Sequence, residues 1–339
     1  MNDGWMLPAT TGLLSLALTA ASIVYARRRA LLDHPGQRRS HTVATPRGGG
    51  IGAVLAVLCV WALGHATSLL PAAAPWPWSF LLGLLLIAGI GWWDDHRPLS
   101  PISRLAVHAI GAACLALGWV EGLGPSSSVW VLGLVAVVVT MVAVNACNFM
   151  DGINGLASTQ VALCGVAIAL AGTGGPGEPS LAVPFSTAMA AAALGFLPFN
   201  FPRARIFLGD VGSGFFGAAV ALMLLLAWGE DLAPPALLLL LPSAFLLDAG
   251  LTLMRRVFAG RRWYRAHREH LYQWLVRSGM THTRVTLIYA LWTASMAALL
   301  LAAPAQAWLW AAAAYALGVA LWWRGKRWCL VRAAQGRIA

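Results

Sequence analysis

The feature that most constrains this chain is its series of apolar runs, each broken off by a short polar island. A helix needs about 20 apolar residues to cross roughly 30 Å of hydrocarbon. Eleven runs are candidate spans, near Leu7–Ala26, Gly48–Leu70, Trp78–Trp93, Ile102–Val120, Val129–Ala146, Asn154–Ala171, Leu181–Leu197, Val211–Trp228, Pro234–Met254, Val285–Ala303 and Trp308–Trp323. The composition agrees, with 59% hydrophobic and only 10% charged residues and a mean hydropathy of +0.72. A soluble chain carries roughly a quarter charged residues. The expected fold is all-α: one polytopic membrane domain over residues 1–339, with about 11 transmembrane helices.

With eleven spans, all 23 Lys and Arg fall on one side, in the first, third, seventh and ninth connections and the C-terminal tail. The other side holds only acids: Asp3, Glu121, Glu178, Glu230 and Asp231. Cytoplasmic loops carry such a basic excess, so the N-terminus is expected outside and the C-terminus in the cytoplasm. The net charge of +11 then calls for no nucleic acid; it suits anionic lipid headgroups, at about 1 kcal/mol per basic residue. The first run is not a cleaved signal peptide, because its positive charges follow it. Five cysteines are scattered without a CxxC pair and read as small apolar filler.

The polar islands carry the chemistry. In Asn145–Ala157, NACNFMDGINGLA, the residues Asn145, Asn148, Asp151 and Asn154 recur every third position, so successive pairs share a helix surface. Read alone, this island is as well explained by a capped loop between buried helices. Two further acidic islands occupy the same kind of position. GWWDDHRPLSPISR places Asp94 and Asp95 where a span ends, and such adjacent carboxylates beside an apolar helix need a compensating cation. Arg104 opens the next span, either as a phosphate partner or as a topological charge. FNFPRARIFLGDVGSGFFG sets Asp210 among glycines, with Asn200 and Phe207 upstream.

Two basic islands join them. Arg47 precedes the run Gly48–Gly50, where a glycine-rich turn opening a helix can present N–H groups to an anion. In the ninth connection His267 and His270 stand three apart, beside Arg265 and Arg268. This group favours an anion such as diphosphate; the rival reading is a basic interfacial helix. Asp248 lies inside a span, as a functional candidate or as the partner of Arg255.

Asp94, Asp95, Asp151 and Asp210 thus share one depth, at the cytoplasmic ends of spans. Carboxylates with glycine turns suit Mg²⁺, or Mn²⁺ as the alternative ion, since hard cations take oxygen ligands and bridge to phosphates. One substrate would be soluble and phosphorylated, the other a lipid lying between helices.

HTVATPRGGG, DDHRPLSP, NFMDGINGLA, NFPRARIFLGDVGSG and HREHLYQ together resemble the polyprenyl-phosphate N-acetylhexosamine-1-phosphate transferase family, glycosyltransferase family 4. The resemblance runs from His41 to Gln273 and includes the peptidoglycan enzyme phospho-N-acetylmuramoyl-pentapeptide transferase among the relatives. The count of eleven spans is more like the branch serving lipopolysaccharide O-antigen and other cell-envelope polymers. By resemblance, Asp210 is the metal ligand, with Asp94 or Asp151 beside it. Asp94 is the base and Asp95 its acidic neighbour. Asn148 and Asp151 lie near metal and diphosphate, Phe207 and Asn200 near uracil, and His267 and His270 near the phosphate and sugar. Arg47, Arg104 and Arg268 are further substrate contacts. Asn154 stands where many relatives have a second Asp, and HREH replaces a triple histidine, which argues against a muramoyl-pentapeptide substrate.

The resemblance implies Mg²⁺-dependent transfer of an N-acetylhexosamine phosphate from a UDP-sugar to polyprenyl (undecaprenyl) phosphate. It also implies a bacterial inner-membrane enzyme with a cytoplasmic active site; a homodimer is an open assembly state. Two rival classes are a transporter centred on Asp248 and a lipid-binding scaffold without chemistry. A transporter would place ionisable groups near the bilayer midplane, and a scaffold leaves four carboxylates unexplained.

Overall fold

The computed structural model describes all residues except 1–4, 34–42, 67–76, 125–127, 175–179, 263–266, 303–304 and 337–339, and the side chains of 64–66. His41, Arg265, Asp3 and Glu178 therefore lie outside the described residues.

Helices occupy most of each apolar run: α1 (Met6–Arg28), α2 (Ile51–Ala66), α3 (Trp78–His96), α4 (Pro101–Leu123), α5 (Val129–Met150), α6 (Leu156–Ala171), α7 (Ala182–Asn200) and α8 (Gly209–Gly229). There follow α9 (Pro235–Leu238), α10 (Ser243–Phe258), α11 (Leu271–Arg277), α12 (His282–Leu301) and α13 (Ala307–Ala334). Among the described residues, six helices are long and apolar enough to cross a membrane by length and composition, and two shorter apolar helices accompany them. The chain is a multi-pass membrane protein.

Two expectations change. The ninth run, expected as one helix over Pro234–Met254, is broken into α9 and α10. Pro242 ends the first piece, because proline has no N–H and its ring clashes with the preceding turn. The chain is also not purely helical: β1 (Leu32–Asp33) pairs antiparallel with β2 (Thr45–Pro46), with Asp33 opposite Thr45.

The bundle is built around α8. Its residues from Val211 to Ala227 are all buried, as expected of a helix that is apolar all round. It packs against α3, α5 and α6. The opposite edge is formed by α1, which packs on α2 and α7. Since α8 begins at Gly209, its first turn lies where the ends of α3, α5 and α7 also meet.

Candidate active site

A cavity of about 260 Å³ opens at this end of the bundle. Its wall draws Asp33 from β1, Asn148 and Asp151 from the end of α5, and Asp210 and Ser213 from the start of α8. Arg47, Asp95, Asn200, Phe207, Gln273 and His282 complete the part that bears on chemistry.

The loop before α8 is held by backbone pairing. Phe207 N–H donates to Pro46 C=O at 2.8 Å, and Gly49 and Gly50 N–H donate to Phe207 and Leu208 C=O at 2.9 and 2.8 Å. Gly209 sits here at φ +77°, and a Cβ on it would meet Asp95 Oδ2 at 2.5 Å. Only glycine fits a position with both a left-handed backbone and that approach.

Asp95 is 3% exposed. Its two oxygens accept the N–H groups of Asp210 and Val211, each at 3.1 Å. A carboxylate there satisfies free N–H groups and opposes the positive end of the α8 dipole. Arg47 donates to the Asp95 main-chain carbonyl. Asp95, expected among the catalytic groups, is thus committed by both oxygens to positioning Asp210.

Asp94 is turned another way. Its Oδ1 accepts Leu99 N–H at 2.6 Å, and its Oδ2 lies 2.8 Å from Arg104 Nη1. The same nitrogen is 3.2 Å from Asp210 Oδ2. Arg104 therefore ties the two carboxylates together and supplies the cation the sequence demanded. Asp94 and Arg104 stand behind Asp210 rather than on the cavity wall. Asp210 Oδ1 accepts from Asn148 Nδ2, which also reaches Ser213 Oγ at 3.0 Å.

Asp151 follows the last turn of α5. Water reaches its edge through the cavity mouth, but protein encloses most of the carboxyl. Burial, with the charges of Asp210 and Asp95 added, pushes it up to about 8. Asn200 is anchored at both ends of its amide: its Oδ1 accepts Gly155 N–H at 2.6 Å and its Nδ2 donates to Ile206 C=O at 2.9 Å. It joins the turn before α6 to the loop before α8, so its amide is held by backbone. Asn154 donates to Pro202 C=O at 2.9 Å.

The ninth connection divides between two places. Gln273 and Tyr272 of α11 face the carboxylate end, with Tyr272 OH donating to Phe149 C=O at 3.0 Å. His270 packs behind this wall, its ring 5.9 Å from Phe149 and 4.9 Å from His267. The buried Nδ1 atoms of both histidines have no partner among the described residues. Burial lowers both: His267 falls to about 4, with the charge of Arg256 assisting, and His270 also lies below its ordinary value. At neutral pH they are hydrogen-bonding groups without charge. Arg268 turns away and lines a second, basic cavity.

Asp248 is 1% exposed and does not pair with Arg255, which lies over the Trp323 ring at 5.3 Å. Its oxygens accept from Leu271 N–H (2.6 Å), Tyr272 N–H (3.1 Å), Tyr289 OH (2.7 Å) and Trp322 Nε1 (3.0 Å). Such a saturated carboxylate fixes α11 against α10, α12 and α13; it has no free oxygen for a transported ion.

Sequence reasoning missed Asp33, Ser213, Gln273 and His282 as cavity residues. Ser213 had a signal, one turn beyond Asp210 on the same helix. Gln273 closes the motif HREHLYQ, whereas Asp33 and His282 had no signal.

Around Asp210 the atoms able to ligate a cation are oxygens, from Asp210, Asp151 and Ser213, while Asn148 turns its Nδ2 to Asp210 and Ser213. Among the described residues, no three acidic or imidazole groups form a ready-made metal cage. Mg²⁺ does not need one: it keeps several waters and binds through one or two carboxylates plus substrate phosphates. The residues present fit that ion.

A polytopic helical bundle with a carboxylate-rich cavity at one end, and arginines beside it, has the layout of a membrane-embedded transferase. Comparison with known proteins makes this specific. Residues 77–227 match Glycosyl transferase family 4. A decaprenyl-phosphate N-acetylglucosaminephosphotransferase of Mycobacterium tuberculosis (strain ATCC 25618 / H37Rv) is 31% identical over 330 residues, covering 83% of this chain and 80% of the relative. The enzyme of the same name from Mycobacterium leprae is 30% identical over 331 residues, covering 83% and 81%. A phospho-N-acetylmuramoyl-pentapeptide-transferase of Thermosynechococcus vestitus is 34% identical over 200 residues, covering 52% and 50%. The chain belongs to glycosyl transferase family 4.

Proposed function

We propose that this protein transfers an N-acetylhexosamine 1-phosphate from a UDP-sugar to a polyprenyl phosphate such as undecaprenyl phosphate. UMP is released, and a lipid-linked glycan for a cell-envelope polysaccharide such as O-antigen begins. N-acetylglucosamine is the first sugar to test, because the long-matching relatives are named for it. The observation that carries the reading is the meeting of Asp210, Asp151 and Asn148 in one cavity with Arg47, and with Asp94 and Arg104 just behind.

The lipid phosphate oxygen attacks the sugar-linked phosphorus. The bond from that phosphorus to the UMP oxygen breaks, and its electron pair leaves with UMP. Such a reaction depends on in-line positioning and charge neutralisation. Asp210, oriented by Asp95 and Asn148, would hold Mg²⁺ with help from Asp151. When bound, the ion would neutralise phosphate charge. Arg47 holds a diphosphate oxygen, and Phe207 gives a base an apolar face. A phosphate monoester has its second pKa near 6, so the lipid phosphate is already largely dianionic at neutral pH. Direct attack needs no strong base, and Asp94 acts through Arg104, which holds Asp210 in place beside the incoming phosphate.

Eleven spans, an outside N-terminus and a cytoplasmic site in the inner membrane complete the proposal, because this arrangement puts all 23 basic residues on one side. The test is the purified chain with polyprenyl phosphate, Mg²⁺ and a panel of UDP-sugars, scored for UMP and lipid-linked product. Product is expected with UDP-N-acetylglucosamine. No UMP release from any UDP-sugar would leave the chain a scaffold. Reporter fusions at both termini test the orientation.

A further inference from the structure

The second cavity, of about 290 Å³, lies between α10, α11 and α13. One short helix separates it from the candidate active site: Gln273 lines that cavity, whereas Trp274 and Arg277 line this one. Its charge is one-sided. Arg255, Arg261, Arg268, Arg277 and Lys326 face a single acid, Glu269. Glu269 is already engaged by Arg256 and, at 3.2 Å, by Arg261. Among the described residues no carboxylate pairs with Arg255, Arg268, Arg277 or Lys326.

Lys326 is only 5% exposed. Its ammonium donates to the Glu269 main-chain carbonyl and lies 4.7 Å from the Trp274 ring and 5.8 Å from the Trp322 ring. Arg277 lies 4.8 Å from Trp274. Aromatic faces offset part of the cost of gathering these cations, but the half-buried Arg268 and Arg277 and the exposed Arg255 and Arg261 still crowd like charge around the buried Lys326. Two donors are also unused: Trp274 Nε1 and Arg268 Nη2 are buried with no hydrogen-bond partner among the described residues. Free N–H donors within a ring of cations fit the oxygens of a phosphate group.

The surroundings favour a lipid as its carrier. Met254, Val257 and Phe258 on α10 and Leu330 and Val331 on α13 are exposed apolar side chains flanking the cavity. The indoles of Trp274 and Trp322 line it, and tryptophan favours the membrane–water boundary. A free nucleotide or phosphate has no use for an apolar rim, whereas a phospholipid covers it with its acyl chains. Basic pockets between membrane helices on the cytoplasmic side take anionic headgroups.

We propose that this cavity is a binding site for the phosphodiester headgroup of an anionic membrane phospholipid, separate from the site of the proposed transfer reaction. Bound there, the lipid braces α11 from the side opposite the carboxylate cavity.

The test uses the full chain in mixed micelles of zwitterionic phosphatidylcholine, with or without phosphatidylglycerol, and reads thermal unfolding and lipid retention by native mass spectrometry. Phosphatidylglycerol should raise Tm by about 3 °C over phosphatidylcholine alone, and the Arg255→Gln/Arg277→Gln variant should lose at least half of that shift. Millimolar inorganic phosphate or UMP should not reproduce it. Equal shifts with both lipids, or a full shift in the variant, would overturn the proposal. A full shift from phosphate or UMP alone would make the cavity a soluble-anion site and overturn the choice of a lipid. If the double variant does not fold, Arg277→Gln alone is compared for retained phosphatidylglycerol, and retention at the wild-type level counts against the site.

Discussion

Asp95 accepts the backbone N–H of Asp210 at 3.1 Å, so one acidic residue sets the direction of another from 115 positions away. Its second oxygen holds Val211 N–H, so both oxygens of Asp95 help to fix the start of α8. The two carboxylates should therefore fail differently when neutralised. In Asp95→Asn one buried N–H loses its acceptor, at a cost of about 1–3 kcal/mol in stability. Asp210→Asn keeps the start of α8 intact but removes the negative charge from the cavity. Its turnover should fall by about 100-fold or more with little change in Tm, and Mg²⁺-dependent UDP-sugar binding should weaken. Thermal unfolding and turnover measured on both variants separate the two roles. A stable Asp95→Asn protein of normal activity would refute the positioning role.

Asp248 invites a second prediction. Four donors from three other helices, two of them the first N–H groups of α11, end on its carboxylate together with Thr252 Oγ1 of its own helix. Asp248→Asn introduces an N–H₂ group that can accept none of them. Local loosening of α11 should follow, read as faster amide exchange over Leu271–Arg277, while α1–α4 keep wild-type protection. Turnover should fall through misplaced Gln273 and Tyr272. Unchanged exchange in α11 would mean that packing alone fixes this helix.

The sequence showed much of this arrangement and hid a definite part. Helices follow apolar length because lipid leaves the backbone no other partner, and the carboxylates announced themselves by being expensive at helix ends. What stayed hidden was direction. Asp94 and Asp95 are neighbours in sequence, and only the end of α3 decides that one caps α8 while the other meets Arg104. Asn200 resembles a residue near the base, and only the fold shows that backbone anchors both of its polar atoms. Asp33 gave no motif and reaches the cavity through a two-residue strand too short to read from periodicity. The break after α9 was legible in Pro242 and was passed over because the apolar run continued. Asp248 was read for its cost in the membrane, which four donors far off in sequence offset.

The histidines give a pH prediction. His267 titrates near 4 instead of its ordinary 6.5 because burial disfavours the charged ring, and His270 is shifted the same way. As pH falls through 6.5, the unfolded chain takes up protons that the folded chain refuses. Stability must therefore decline as pH drops from 6.5 towards 4. A His267→Gln/His270→Gln variant should show a flatter stability profile across that window, measured as Tm at half-unit steps. Parallel profiles would show that the rings protonate freely in the folded state. The same variant should use UDP-sugar less well, through lost neutral hydrogen bonds rather than lost charge, so raising the pH from 7 to 8 should not rescue it.

The last prediction links Asp151 to the metal. Without a cation, burial and the charges of Asp210 and Asp95 keep this carboxyl protonated up to about 8. A divalent ion seated by Asp210 and Asp151 replaces that repulsion with attraction, and its oxygen ligand must be ionised. Burial, with Asp94 and Asp95 beside it, raises Asp210 as well, to about 7, so at pH 7 Mg²⁺ binding should release more than one proton per site, and apparent affinity should rise by about tenfold or more per pH unit between 6 and 7. The sign is definite: a raised carboxylate competes with metal through its proton, so lower pH weakens binding. Calorimetric titration of Mg²⁺ with the UDP-sugar present, in buffers of different ionisation enthalpy, counts the protons. Asp151→Asn has no proton to lose at that position, so its release should fall by close to one proton, leaving the share from Asp210, and its affinity should be lower and less steeply dependent on pH from 6 to 8. Equal proton release from the wild type and Asp151→Asn would move the titrating group elsewhere and remove Asp151 from the metal site.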